Sequence, residues 1–232
     1  MFDLRDERRR SGDRDRNHVA MRVLAIAASW AAALTCSAPA AVPAGSTQLV
    51  TVTASSYGTT GASLEVWQRR GGCWRRVAGP WHAWLGSSGM SAHKREGDGA
   101  TPTGTYSLGG TTYGIAANPG VHGAYHRLVC GDWWDEDARS STYNTFRHLA
   151  CGTRPAFGGG SEALWRISPQ YRYFAVIGFN TAAVPGRGSA IFLHVSAGHP
   201  TAGCVSLPES QLLRLLRWLR PAAHPVVHLG IS

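Results

Sequence analysis

Two residues able to do nucleophilic chemistry together stand near the C-terminus, in the run His194-Val-Ser-Ala-Gly-His199-Pro-Thr201-Ala-Gly203-Cys204-Val-Ser206. The thiolate is the attacking form of cysteine, and an imidazole within hydrogen-bond reach can take the thiol proton. A Cys–His pair is therefore a minimal apparatus for acyl transfer through a thioester. Gly203 lets a backbone approach a substrate closely, and the amides of Gly203 and Cys204 are candidate donors to the oxyanion of a tetrahedral intermediate. The same residue types have plainer uses. Buried cysteines and satisfied core histidines are common, and His194, His199 and Cys204 would also supply three zinc ligands with a fourth position open. No paired CxxC or HExxH spacing accompanies them. His199, ahead of Pro200 in a Gly-flanked loop, reads as solvent-facing, with a supporting acid–base role open to it.

The elements that must position this pair are legible as patterns. The apolar run Ala190–Val195 is short and β-rich, as is Tyr173–Ile177, and both read as buried strands at the centre of a sheet. After Cys204, Leu212, Leu215, Leu216 and Leu219 recur at helical spacing with arginines mostly opposite. Ser206 and Glu209 fit a capping box, and Pro221 ends the helix. A helix beginning just after Cys204 would lower its thiol pKa through the positive end of the dipole.

Upstream, residues 46–53, 63–68 and 74–78 alternate polar and apolar as half-buried strands, and Lys94–Tyr106 packs turn residues before a strand over Thr105–Leu108. From 109 to 160 the periodicity fails while Trp133, Trp134, Tyr143 and Phe146 sit among Asp132, Asp135, Glu136 and Asp137. That stretch is an inserted loop, either a lid or binding wall or an insertion held by its own cluster. With 28 Gly and 12 Pro among 232 residues, the expected fold is mostly β.

Met21-Arg22 opens an uncharged stretch, Val23–Leu34, followed by small residues with Ala38-Pro39-Ala40 as a cleavage site. This predicts a secretory signal peptide, too short for a membrane span, and the charged segment before Met21 reads as an unused upstream start. Residues 1–45 are thus the extension and signal peptide, and 46–232 one exported domain, secreted or held in the periplasm or cell wall. Sixteen Lys/Arg against nine Asp/Glu remain after residue 45, so a net charge near +7 of the chain's +9 survives processing. It suits polyanionic wall or membrane surfaces, and no basic-aromatic nucleic-acid motif is present. Cys36 leaves with the signal. If Cys204 stays a thiol, Cys73, Cys130 and Cys151 allow at most one bridge, and Cys130–Cys151 would close the long insertion.

The chain resembles the L,D-transpeptidase catalytic domain, or YkuD, family. The resemblance rests on Gly97-Asp98-Gly99-Ala100-Thr101-Pro102-Thr103-Gly104, on Ile191-Phe192-Leu193-His194 and above all on Thr201-Ala202-Gly203-Cys204-Val205-Ser206. It implies a β-sandwich or barrel catalytic domain in which Cys204 attacks a peptidoglycan stem peptide and His194 accepts its proton. The carbonyl attacked belongs to a third-position diamino acid. Terminal D-alanine leaves, and the acyl group passes to an amine on another stem, which cross-links the wall. No cofactor is implied, and carbapenems are expected to acylate the cysteine. Thr201, Ser206 and His199 are the substrate-binding candidates. Ala202 stands where the family has a histidine before Gly-Cys, and Ser206 where it has Arg or Asn, so contacts orienting substrate carboxylates are altered. Hydrolysis of the same stems on the same residues, and a non-catalytic wall-binding module, are the competing functions. The sequence sets no oligomeric state.

Overall fold

The computed structural model describes residues 34–35 and 38–232. The expected signal peptide lies outside the described residues except for its end, where Leu34–Thr35 pairs antiparallel with Arg75 and Trp74. Val42 and Ala40 pack against Leu49, Trp67, Trp74 and Val226, so residues ahead of position 46 join the domain.

The fold is mostly β. The strands are β1 (Gln48–Ala54), β2 (Gly61–Arg70), β3 (Cys73–Trp84), β4 (Gly104–Gly114), β5 (Ala124–Arg127), β6 (Asp132–Asp135), β7 (Thr145–His148), β8 (Phe174–Ile177), β9 (Phe192–Val195), β10 (Val205–Leu207) and β11 (Val226–Ile231). The principal sheet runs β3-β10-β9-β8-β4-β11-β1-β2, and β2 pairs back onto β3, closing it into a barrel without a free edge. Two pairings around the ring, β9 with β10 and β11 with β1, are parallel, as is the pairing of β5 onto β4 outside the ring. Alternating residues from around the ring, among them Val50, Leu64, Leu108, Ile177, Leu193, Val205 and Leu229, fill one apolar core.

The single α-helix among the described residues, α1 (Glu209–Trp218), buries Leu212, Leu215 and Leu216 against that core. Its start differs from the expected capping box. The N-cap is Pro208, with no side-chain cap bond. Ser206 belongs to β10, and its hydroxyl makes no hydrogen bond to the helix start or elsewhere.

The 109–160 stretch is less of a loop than its irregular sequence suggests. β4 continues to Gly114, β5 pairs with β4, and β6 is the middle of a small sheet between β7 and Glu162–Ala163. The alternation is hard to see because each face of β6 carries one tryptophan and one aspartate, Trp134 with Asp132 and Trp133 with Asp135. Asp135 accepts Ser140 Oγ and Thr142 Oγ1, while Asp132 accepts His126 Nε2 at 2.8 Å and His148 Nδ1 at 2.6 Å. Cys130 and Cys151 are bonded, with Cα atoms 5.1 Å apart. Cys73 is also disulfide-bonded, which corrects the expectation of at most one bridge.

Candidate active site

Strand alternation separates the chemistry from the core. In β9, Leu193 and Val195 enter the barrel, so Phe192 and His194 face outward. In β10, Val205 and Leu207 enter it, so Cys204 and Ser206 face outward. The parallel register sets His194 opposite Ser206. Cys204, His194 and the Ser206 hydroxyl thus share one patch on adjacent strands. The patch is covered by the insertion, from which Trp134 packs edge-on against Phe192 at 4.9 Å, beside Tyr171 and Phe174.

A cavity of about 290 Å³ opens at this patch. Cys204, His194, Ser206, Thr201, Gly203 and His199 all line it, so the structure brings together every site residue read from the run 194–206. His194 is buried, and its Nδ1 lies 2.8 Å from Val195 O. A carbonyl oxygen only accepts, so Nδ1 carries the proton and Nε2 keeps a lone pair free to act as base. Burial holds the ring's pKa down at about 4, with the Val195 bond opposing, so the imidazole is neutral. His199 is exposed, with Nδ1 2.8 Å from Pro200 O. Among the described residues no group of three His, Cys, Asp or Glu side chains could hold a metal, so the zinc arrangement is not assembled.

Cys204 is a free, buried thiol. Its Sγ donates to Ala190 O at 3.2 Å and accepts the Phe192 amide at 3.3 Å. The expectation of a helix-lowered pKa is overturned, because β10 and Pro208 separate Cys204 from α1. Burial pushes the thiol well up, the negative charge of Glu162 adds to it, and the Phe192 amide and Lys94 offset only part. The resting pair is neutral thiol beside neutral imidazole.

The loop before Cys204 is pinned from several sides. Thr201 Oγ1 donates to Cys204 O at 2.7 Å and accepts the Gly203 amide at 3.1 Å, and Thr101 Oγ1 also donates to Cys204 O, at 3.3 Å. Gly203 has φ +143°, and a Cβ there would sit 3.0 Å from Ala100 O, so this position requires glycine. Two assignments change as a result. The Gly203 amide is taken by Thr201 in this conformation instead of standing free for an oxyanion, and the Thr201 hydroxyl is spent on the backbone around the nucleophile. The 94–104 turn backs this loop. Asp98 accepts Lys94 Nζ at 2.5 Å and the amides of Arg95 and Ala100.

Sequence reasoning missed the acidic wall. Glu96, Glu136 and Glu162 line the same cavity as Cys204. Glu162 is the register partner of Trp134, and Glu136 follows Trp134 by two residues, so the alternation that seats Trp134 on Phe192 turns both carboxylates the same way. Tyr171, whose ring meets His194 edge-on at 5.8 Å, donates its hydroxyl to Glu162. Tyr143 and Ser189 both donate to Glu96. The available signal was the acidic run 135–137 next to two tryptophans, but Glu162 joins it only by pairing with Trp134, 28 residues earlier.

A closed barrel thus carries an outward-facing cysteine and histidine on parallel neighbouring strands. The sequence model of the L,D-transpeptidase catalytic domain (YkuD) matches residues 64–227, and the chain belongs to that family. Neither the curated proteins nor the solved structures include a match to it.

Proposed function

We propose that this protein is an exported peptidoglycan L,D-transpeptidase that forms a cysteinyl thioester on Cys204 with a stem peptide and transfers it to an amine. The observation carrying this reading is the placement of Cys204 and His194 in one cavity, with His194 Nδ1 tied to Val195 O so that Nε2 is the free acceptor. Family membership supplies the substrate class.

In the reaction, Sγ leaves its bond to Ala190 O and attacks the carbonyl carbon of the third residue while its proton moves to His194 Nε2. The tetrahedral intermediate collapses, the bond to terminal D-alanine breaks, and the departing amine takes the proton from His194. An acceptor amine then attacks the thioester and gives a proton to His194, which returns it to the thiol. Starting from neutral partners suits a buried site, since no isolated charge has to be held there between turnovers. In this scheme Thr201 and Gly203 shape the loop that carries Cys204, while Ser206 and His199 face substrate. The Cys130–Cys151 bridge anchors the insertion that covers the site.

Intact-protein mass spectrometry after incubation with stem tetrapeptide or a carbapenem tests the reading. Wild-type protein gains one acyl group and Cys204→Ala gains none while keeping its fold. Acylation of the alanine variant at wild-type speed would remove Cys204 from the mechanism. Release of free tripeptide without amide product would make the enzyme a hydrolase on the same residues.

A further inference from the structure

We propose that Glu96, Glu136 and Glu162, together with the Ser206 hydroxyl, form a subsite beside Cys204 for a protonated primary amine of the peptide substrate. The proposal rests on the reading of Cys204 as the acyl-accepting nucleophile and adds what holds the substrate next to it.

Three carboxyl groups line one cavity, and among the described residues none of them has a Lys, Arg or His within salt-bridge distance. The basic side chain that shares the lining, Lys94, is 4% exposed and already paired with Asp98. Two polar atoms of the residues lining this cavity are left without partners. Ser206 is 1% exposed and its Oγ makes no hydrogen bond, and Glu136 Oε1 is buried and equally unmatched. Buried polar atoms normally find a partner, and orphans lining a cavity mark where a ligand's donors belong. A primary ammonium offers three donors and one positive charge, which suits both the orphan acceptors and the uncompensated carboxylates.

The electrostatics agree with the geometry. Burial, then the charges of Glu162, Glu96 and Asp135, push Glu136 up to about 9, and burial pushes Glu162 up to about 6. Those neighbours hold Glu136 protonated at neutral pH, and an ammonium between the acids would favour its ionisation. The same cation would offset the negative charge that raises the Cys204 thiol, so the correct substrate would ease formation of its own nucleophile.

The amine could belong to the acyl donor or to the acceptor, and single-turnover acylation with two donors separates them. One stem tetrapeptide carries a free side-chain amine on its third residue, the other the same amine acetylated, and a carbapenem serves as an amine-independent acylating agent. If the amine is the donor's, wild type reacts with the free form about 10- to 100-fold faster, and that ratio falls to near one in Glu136→Gln/Glu162→Gln. If it is the acceptor's, the two donors react alike, but the double variant diverts acyl-enzyme from amide product to hydrolysis. Retained carbapenem acylation and an unchanged melting curve show that the variant is folded and its nucleophile intact. Equal donor rates with unchanged partitioning, in protein that the carbapenem does acylate, would overturn the subsite alone. Acylation by neither peptide nor carbapenem would overturn the nucleophile and the subsite with it.

Discussion

The two faces of β9 and β10 make a natural comparison. One face puts Leu193, Val195, Val205 and Leu207 into the apolar cluster that fills the barrel core. The other carries Phe192, His194, Cys204 and Ser206 beneath an insertion that brings carboxylates, a buried tyrosine and orphan polar atoms. Both faces are buried, so burial alone does not mark the site. What distinguishes them is whether polar groups are absent or present and incompletely matched. The inner face holds the strands rigid, and that rigidity lets the outer face keep groups that would otherwise relax into mutual hydrogen bonds.

The sharpest break between the faces is in rate. His194→Gln should slow single-turnover acylation about 10²–10⁴-fold, the usual worth of a positioned general base. The residual rate should climb toward alkaline pH as the thiol ionises unaided. His199→Gln, at an exposed loop position, should change the rate only several-fold. A large loss at His199 with little at His194 would move the base out of the strand.

On the other face the effect should appear in stability instead. Leu193→Ala leaves a cavity in a closed core and should cost about 2–5 kcal/mol in urea unfolding. The acylation rate of the folded fraction should stay within a few-fold of wild type. If that rate fell as steeply as in the His194 variant, the two faces would not be separable.

How much could be read from the sequence follows the same division. Strands 46–53, 63–68 and 190–195 were legible because one face of each is continuously apolar, and the Leu spacing of α1 is equally plain. The Cys–His run was visible because its members lie within a short interval. The acidic wall was not, since Glu96, Glu136 and Glu162 come from distant segments joined by the pairing of Glu162 with Trp134. The helix-activated cysteine failed for a local reason. Val205–Leu207 is too short to announce itself as a strand, yet it pairs with His194 and holds Cys204 away from α1.

The mildest test uses the pH dependence of stability. Glu136 titrates near its usual 4.5 when unfolded and at about 9 when folded, so between those values the native state binds the extra proton. Stability from this group is full below 4.5 and is lost as pH rises through 9; Glu162, at about 6, adds a narrower loss of the same sign. His194 runs the other way. Its folded value of about 4 lies below the usual 6.5, so the unfolded chain binds more protons and stability falls as pH drops from 6.5 to 4. Of these three groups, Glu136 alone still titrates from the upper part of the neutral range toward pH 9. Glu136→Gln should therefore flatten the fall in stability from about pH 5 upward and leave stability below 4.5 unchanged, with a relative gain of several kcal/mol at pH 8.5 over pH 5, since each pH unit in that window is worth about 1.4 kcal/mol. Urea unfolding of both proteins at pH 5, 7 and 8.5 measures it. Parallel curves would mean that Glu136 already ionises freely in the folded protein, and the contrast between a matched inner face and an unmatched outer one would lose its electrostatic half.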